Sequence, residues 1–280
     1  MAIELAPLPR LKAPPGATDT HMHVFEARFP LASIATARPP EAPVSAYLKV
    51  RERLGIERSV VVQPSGYGTD NSCTLAAISA LGESARGIAT VDESMSDAEL
   101  RRLNEAGIRG LRFHMLPGGI IPWESLAPLA ARIGPLGWHA QVQLDGRLLP
   151  EREALLSQLP CALVIDHTGK FLEPVTPDHP SFLSLLRLVE SGRTFVKLSA
   201  PYETSKVGPP LYDDVGALAK ALVQAAPDRM LWASNWPHLG IPKERRPDEA
   251  QLLDTLLDWA PNDGVRRRIL IDNPAALYGF

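Results

Sequence analysis

Apolar residues along this 280-residue chain alternate between two spacings. Eight short runs carry β-type patterns, either every second residue or a brief continuous apolar stretch. They are "ATDTHMHV" (17–24), "RSVVVQPSG" (58–66), "ARGIATVD" (85–92), "GIRGLRFHM" (107–115), "GWHAQVQLDG" (137–146), "CALVIDHTGK" (161–170), "RTFVKLSAPY" (193–202) and "DRMLWASNW" (228–236). Between most of them lie segments with apolar residues three and four apart, the helical spacing. These cover 44–54, 71–81, 97–104, 123–133, 150–158, 181–189, 213–225 and 249–259. Ser96, with Glu99 three residues on, predicts a capped start for the third helix. Eight strand–helix alternations in this length predict one α/β domain over residues 1–280, a (β/α)8 TIM barrel. The Pro-rich residues 1–17 read as an extended N-terminal segment, and 29–43 as a loop or flap beside the first strand. A doubly wound sheet is the structural rival, but it needs fewer strands or a second domain, and no linker divides the chain.

Function in such a barrel collects at the C-terminal ends of the strands, and polar groups recur there. His21 and His23 are two apart, so on a strand both face one way. They can reach one ion or one substrate, and Asp19 could orient an imidazole. The bland alternative is a packed strand whose imidazoles bond the backbone. His167 follows "ALVID" on a turn and suits a general base or a carbonyl-holding group. Arg112 closes "GIRGLRF"; its guanidinium can fork to a carboxylate or polarise a carbonyl, or simply pair with a neighbouring acid. Arg109 reads as facing the helices. Lys170 could bind an anionic substrate group. In "QPSGYGTDN", Ser65, Tyr67 and Thr69 could hydrogen-bond a ligand, while Thr69 or Asp70 could cap the next helix. Gln143, Asn235 and His238 end the fifth and eighth runs. Tyr202 and Glu203 in "PYETS" offer a stacking surface and an acid, or an ordinary loop. His114 adjoins a strand end, His139 reads as structural, and His179 as a surface residue opening a helix.

A catalytic metal usually has three protein ligands and an open position. His21, His23 and His167 are the candidate set, with zinc the ion to consider. Asn235 cannot supply the anion that would hold a cation or accept a proton, so no tightly bound metal or other cofactor is expected. Net charge is −3 with no long basic run, which leaves nucleic acid without an electrostatic footprint. Cys73 and Cys161 suggest buried free thiols rather than a disulfide framework. No apolar run reaches membrane-spanning length and no secretory signal pattern opens the chain, so a cytoplasmic enzyme with a small-molecule partner is expected. A G-x-S-x-G elbow, a phosphate loop and a dinucleotide fingerprint are all missing from the sequence.

Taken jointly, "DTHMHVF", "VVVQPSGYGTDN", "GIRGLRF", "VIDHTGK", "ASNWPH" and the ending "NPAALYGF" resemble the amidohydrolase-related (amidohydrolase 2) barrels. The resemblance runs from about residue 14 to 280 and is nearest to the subgroup of 2-pyrone-4,6-dicarboxylate hydrolases and D-galactarolactone isomerases. It implies a barrel that opens or rearranges a lactone ester without a tightly bound metal. The hydrolase-like members keep a carboxylate where Asn235 stands; the isomerase-like member has Asn there but Gln at the position of His21. The dicarboxylate hydrolase carries Arg where Lys170 stands and another in the "PYETS" loop, which favours a hydroxylated sugar-acid lactone here. The expected chemistry is attack on a lactone carbonyl held by His21, His23 and His167, with Arg112 on the acid or carbonyl oxygen. Water as nucleophile gives hydrolysis, the favoured outcome; a substrate hydroxyl gives isomerisation between 1,5- and 1,4-lactones. A metal-dependent amidohydrolase and a non-catalytic sugar-acid binder are the rivals, and the oligomeric state is not legible.

Overall fold

The computed structural model describes residues 7–33, 35 and 38–280. Positions 1–6 of the N-terminal segment and 34, 36 and 37 of the flap lie outside the described residues. Eight parallel strands follow one another around a single sheet: β1 (Thr18–Met22), β2 (Arg58–Val62), β3 (Ala85–Ala89), β4 (Ile108–His114), β5 (His139–Gln143), β6 (Ala162–Ile165), β7 (Thr194–Leu198) and β8 (Met230–Trp232). The sheet closes on itself just beyond β8. Met22 bridges Trp236, Asn235 N donates to His21 O at 2.9 Å, and His23 N to Trp236 O at 2.9 Å. The outer helices are α1 (Val44–Leu54), α2 (Ser72–Leu81), α3 (Asp97–Glu105), α4 (Leu126–Ile133), α5 (Leu149–Ser157), α6 (Pro180–Glu190), α7 (Asp213–Ala225) and α8 (Glu249–Trp259). The expected TIM barrel is therefore the fold.

Helix bounds follow local chemistry. Ser96 Oγ accepts from Glu99 N at 3.2 Å, as the pattern predicts. The expected helix over 123–133 is a 3-10 turn (Trp123–Ser125) followed by α4. Pro128 has no N–H, so it belongs in a first turn and sets that start. Beyond α8 the chain forms α9 (Asp263–Arg267), a π turn (Arg268–Asp272) and α10 (Asn273–Tyr278), none of which the apolar spacing announced. Asn273 Nδ2 ties α10 to Pro227 O and Met230 O at 2.9 and 2.8 Å. Tyr278, fully buried, packs with Val60, Val62, Ile88, Val164 and Leu231 to plug the barrel. His139 meets the Tyr278 ring edge-on at 5.2 Å, in the structural role expected of it. Gly110 makes room for it: a Cβ there would lie 2.7 Å from His139 O.

Asp19 does not orient an imidazole. A register irregularity in β1 turns it away from the barrel interior. Its carboxylate, with no solvent exposure, accepts from Ser234 N (2.9 Å), Ser234 Oγ (2.6 Å), Tyr47 OH (3.0 Å) and His21 N (3.2 Å). Burial raises its pKa against the lowering effect of these donors. It pins β1 to the segment after β8 and to α1. Replacing Asp19 by Ala would leave several buried donors unpaired, and we expect a loss of about 3 kcal/mol, with Asp19→Asn intermediate. Urea denaturation checks this; an unchanged midpoint in Asp19→Ala would contradict the seam role.

Candidate active site

Inward-facing side chains fill the barrel in layers. Above the apolar plug lies a polar layer formed by His21, Gln141, Asp166 and Lys197, all without solvent exposure. Lys197 Nζ donates to Thr20 O at 2.8 Å and Gln141 Oε1 at 2.7 Å, and lies 3.7 Å from Asp166 Oδ1. Gln141 Nε2 donates to Asp166 Oδ2 at 3.1 Å. Burial pushes the Lys197 ammonium down to about 8, with Asp166 opposing that shift. Burial alone would raise Asp166, but Lys197, His167 and Arg112 outweigh it and hold the carboxyl below its ordinary value.

His21 Nε2 and His23 Nε2 are 3.2 Å apart, and the His21 and His167 rings are 4.9 Å apart centre to centre. The three imidazoles therefore converge, as expected. Burial drives all three pKa values down, that of His23 to about 3 with Arg112 contributing, and those of His21 and His167 well below 6.5. Near pH 7 they are neutral, with one ring proton each. His23 Nδ1 donates to Val62 O at 2.7 Å, leaving its Nε2 bare. Facing that bare nitrogen, His21 donates from Nε2, and its Nδ1 lies 3.4 Å from each of Lys197 Nζ, Gln141 Nε2 and Asp166 Oδ1.

The mouth of the barrel opens into a cavity of about 530 Å³. Of the expected site residues, His23, His167, Arg112, Ser65, Gln143 and Asn235 line it, and so does His114. Arg112 reaches it from the longest strand, its guanidinium held by Gln63 O and Gln143 Oε1, each at 2.8 Å. His167 Nδ1 lies 2.9 Å from Ser199 Oγ, and in the tautomer that donates from Nδ1 to this hydroxyl the bare nitrogen is Nε2. Asn235 Nδ2 donates to Tyr202 OH at 2.9 Å and Glu203 Oε1 at 3.2 Å, which leaves Oδ1 as its remaining acceptor.

Six expected residues do not line that cavity. His21 sits one layer deeper and touches His23 rather than the cavity. Thr69 is exposed. Tyr67 shares a 3-10 turn with Ser65, whose tight winding aims the two side chains differently. Its ring stacks on Phe25 at 5.7 Å and lines a separate cavity of about 500 Å³ beside the flap. Lys170 is paired with Glu203. Tyr202 and His238 stand behind Asn235: Tyr202 OH bonds His238 Nδ1 at 2.9 Å, and His238 Nε2 bonds Glu249 at 3.2 Å. Conversely, Glu203 lines the cavity and supplies a carboxylate beside Asn235, a role the sequence left open because "PYETS" also reads as an ordinary loop. Arg38 from the flap and Arg246 from the segment after β8 line it too. No sequence pattern marked either one.

Several of these groups sit in strained backbone. His167, Thr168, Lys170, Ala200, Asn235 and His238 all have φ between 43° and 61°, left-handed values that side chains with a Cβ adopt at a cost. All six follow the ends of β6, β7 or β8, where the surrounding hydrogen bonds hold them. As for a metal, His21, Asp166 and His167 each offer one ligand atom within 4.8 Å of the others. Asp166 takes the place that the sequence reading gave to His23.

No described helix is long and apolar enough to cross a membrane, and both cysteines are buried and free. The chain is 36% identical to a 2-pyrone-4,6-dicarboxylate hydrolase of Comamonas testosteroni, over 96% of this chain and 92% of the relative. It is 33% identical to a D-galactarolactone isomerase of Agrobacterium fabrum, over 95% and 91%. A crystal structure of an Agrobacterium tumefaciens protein in its apo form matches with a TM-score of 0.94 at 32% identity, covering 98% of both chains. The Amidohydrolase family profile matches residues 18–280, and with the barrel and the imidazole cluster at its mouth this chain belongs to the amidohydrolase family.

Proposed function

We propose that this barrel hydrolyses the ester of a carboxylated or sugar-acid lactone without a resident metal ion. The observation that carries this is the convergence of Arg112, neutral His167 and Asn235 on one polar cavity. Relatives named for a pyrone dicarboxylate and for galactarolactone support a cyclic ester as substrate. Among the described residues, Arg112, Arg38 and Arg246 face one cavity-lining carboxylate, Glu203, itself paired with Lys170. Such a mouth attracts an anion. Glu203, Asn235 and Gln143 offer hydrogen bonds to hydroxyl groups, in keeping with a sugar acid.

The donor set does not fit a divalent ion. Lys197 Nζ lies 3.4 Å from His21 Nδ1 and 3.7 Å from Asp166 Oδ1, beside the candidate ligand residues. A divalent charge placed among them meets a fixed like charge at short range. Asn235 adds no anion to offset it.

In the reaction, Arg112 donates to the lactone carbonyl oxygen and stabilises the negative charge that develops there. Asn235 Oδ1 accepts from a water and orients it, but takes no proton. His167 Nε2 takes that proton, with His167 Nδ1 steadied by Ser199. The tetrahedral adduct collapses by breaking the ring C–O bond, and the protonated His167 returns the proton to the leaving alkoxide. The product is the ring-opened hydroxy acid. The second reading, isomerisation, uses a substrate hydroxyl in place of water. The relative named D-galactarolactone isomerase supports it.

Three outcomes are expected. NMR of pure 1,4- and 1,5-lactones of aldaric acids should show free acid accumulating; the other ring size would mean an isomerase, and tight binding without turnover would mean a binding protein. His167→Ala should lower kcat by roughly 100- to 10,000-fold with little change in KM; an unchanged kcat removes His167 from the chemistry. The pH profile of kcat should lack an inflection near 6.5. The base works in its neutral form, and a lowered pKa moves the loss of activity to more acidic pH, so the acid limb belongs well below pH 6.5. An inflection near 6.5 that disappears in His167→Ala would contradict a desolvated base.

A further inference from the structure

We propose that Lys197 is a built-in cation: its ammonium fixes His21 in the Nε2–H tautomer and excludes a divalent ion from the imidazole cluster. The inference rests on the metal-independent reading above and gives it a structural cause.

The contact with His23 decides where His21 carries its proton. His23 holds its proton on Nδ1, against Val62 O, so a bare His23 Nε2 faces His21 Nε2 at 3.2 Å. Two bare nitrogens at that distance would repel, and His21 Nε2–H resolves the contact. On the other side of the ring, Nδ1 meets Lys197 Nζ and Gln141 Nε2, each at 3.4 Å. Both are donors only. Asp166 Oδ1, 3.4 Å from the same nitrogen, has no hydrogen-bond partner; its counter-charge is Lys197 at 3.7 Å.

A cation bound through the Nε2 atoms of His21 and His23 would reverse this order. His21 would have to move its proton to Nδ1 and donate it to Asp166, the arrangement that carboxylate–histidine–metal sites use. Lys197 opposes that move twice, by directing a donor at Nδ1 and by holding a positive charge behind the same ring, 3.4 Å from Nδ1. Lys197 itself cannot swing away. It is enclosed by the barrel, with Thr20 O and Gln141 Oε1 holding it at 2.8 and 2.7 Å. Lys197 is thus a positioning residue: it acts on substrate only through His21 and then His23, whose ring lines the cavity.

The test reads zinc binding and ring tautomers rather than turnover, so its failure is separable from failure of the lactonase reading. Full-length wild type, Lys197→Gln and Lys197→Arg would be titrated with zinc against a competing chelator. Zinc affinity should rise roughly 100-fold or more in Lys197→Gln, and Lys197→Arg, which keeps the charge, should stay like wild type. Adding His21→Gln to Lys197→Gln should abolish the gain. Equal zinc affinity in wild type and Lys197→Gln would overturn the proposal. Should Lys197→Gln fail to fold, 15N NMR of the histidine rings in wild type still decides. The proposal requires His21 protonated on Nε2 and bare on Nδ1; a His21 protonated on Nδ1 overturns it.

Discussion

Lys197 and Asp166 face each other at 3.7 Å inside a closed barrel, out of contact with water. Removing one ammonium and one carboxylate from water costs several kcal/mol each, and mutual attraction offsets this only when the remaining hydrogen-bonding capacity is filled. Here Gln141 serves both partners, accepting from Lys197 and donating to Asp166, while Thr20 O takes a second ammonium proton. The orientation of Gln141 then follows, with its Nε2 turned to His21 Nδ1, while Val62 O sets the proton of His23. A buried ion pair of this kind is weak support for stability. Its consequence lies in the proton arrangement it imposes on the layer above.

The mouth is built on that layer, but its chemistry comes from strained turns. His167 and Asn235 occupy left-handed backbone immediately after β6 and β8. The strands hold the turns, and the turns aim an imidazole and an amide into a cavity whose cationic wall is Arg112. Burial keeps the imidazoles neutral near pH 7. Behind Asn235, the sequence Tyr202, His238 and Glu249 fixes which end of the amide faces the reaction. None of these three borders the cavity.

Much of this was legible in the chain because period and position are local properties. The eight runs became eight strands, and the polar residues closing them became the mouth. Two-residue spacing put Arg112 and His114 on one face of β4, and both line the cavity. The same spacing misled at His21 and His23: side chains on one face are stacked in depth, and only the upper one meets the cavity. Tyr67 was misplaced because a 3-10 turn rotates its side chains, and Thr69 because it lies beyond that turn on the exposed surface, neither of which strand periodicity encodes. Asp19 escaped because a register irregularity in β1 changes its face. The plug formed by Tyr278 depends on α10, whose six residues are too few to show a helical period. Glu203, a lone acid in a short loop, carried no pattern that set it apart from an ordinary loop residue.

The central claim is that fixed protein groups, without a bound ion, polarise the lactone carbonyl at this mouth. The direct measurement is metal content by mass spectrometry on wild-type protein whose lactone turnover is recorded in the same sample, before and after exhaustive chelation. The account expects full turnover at far less than one metal per chain and no loss on chelation. Turnover that rises and falls in proportion to one equivalent of zinc would contradict it.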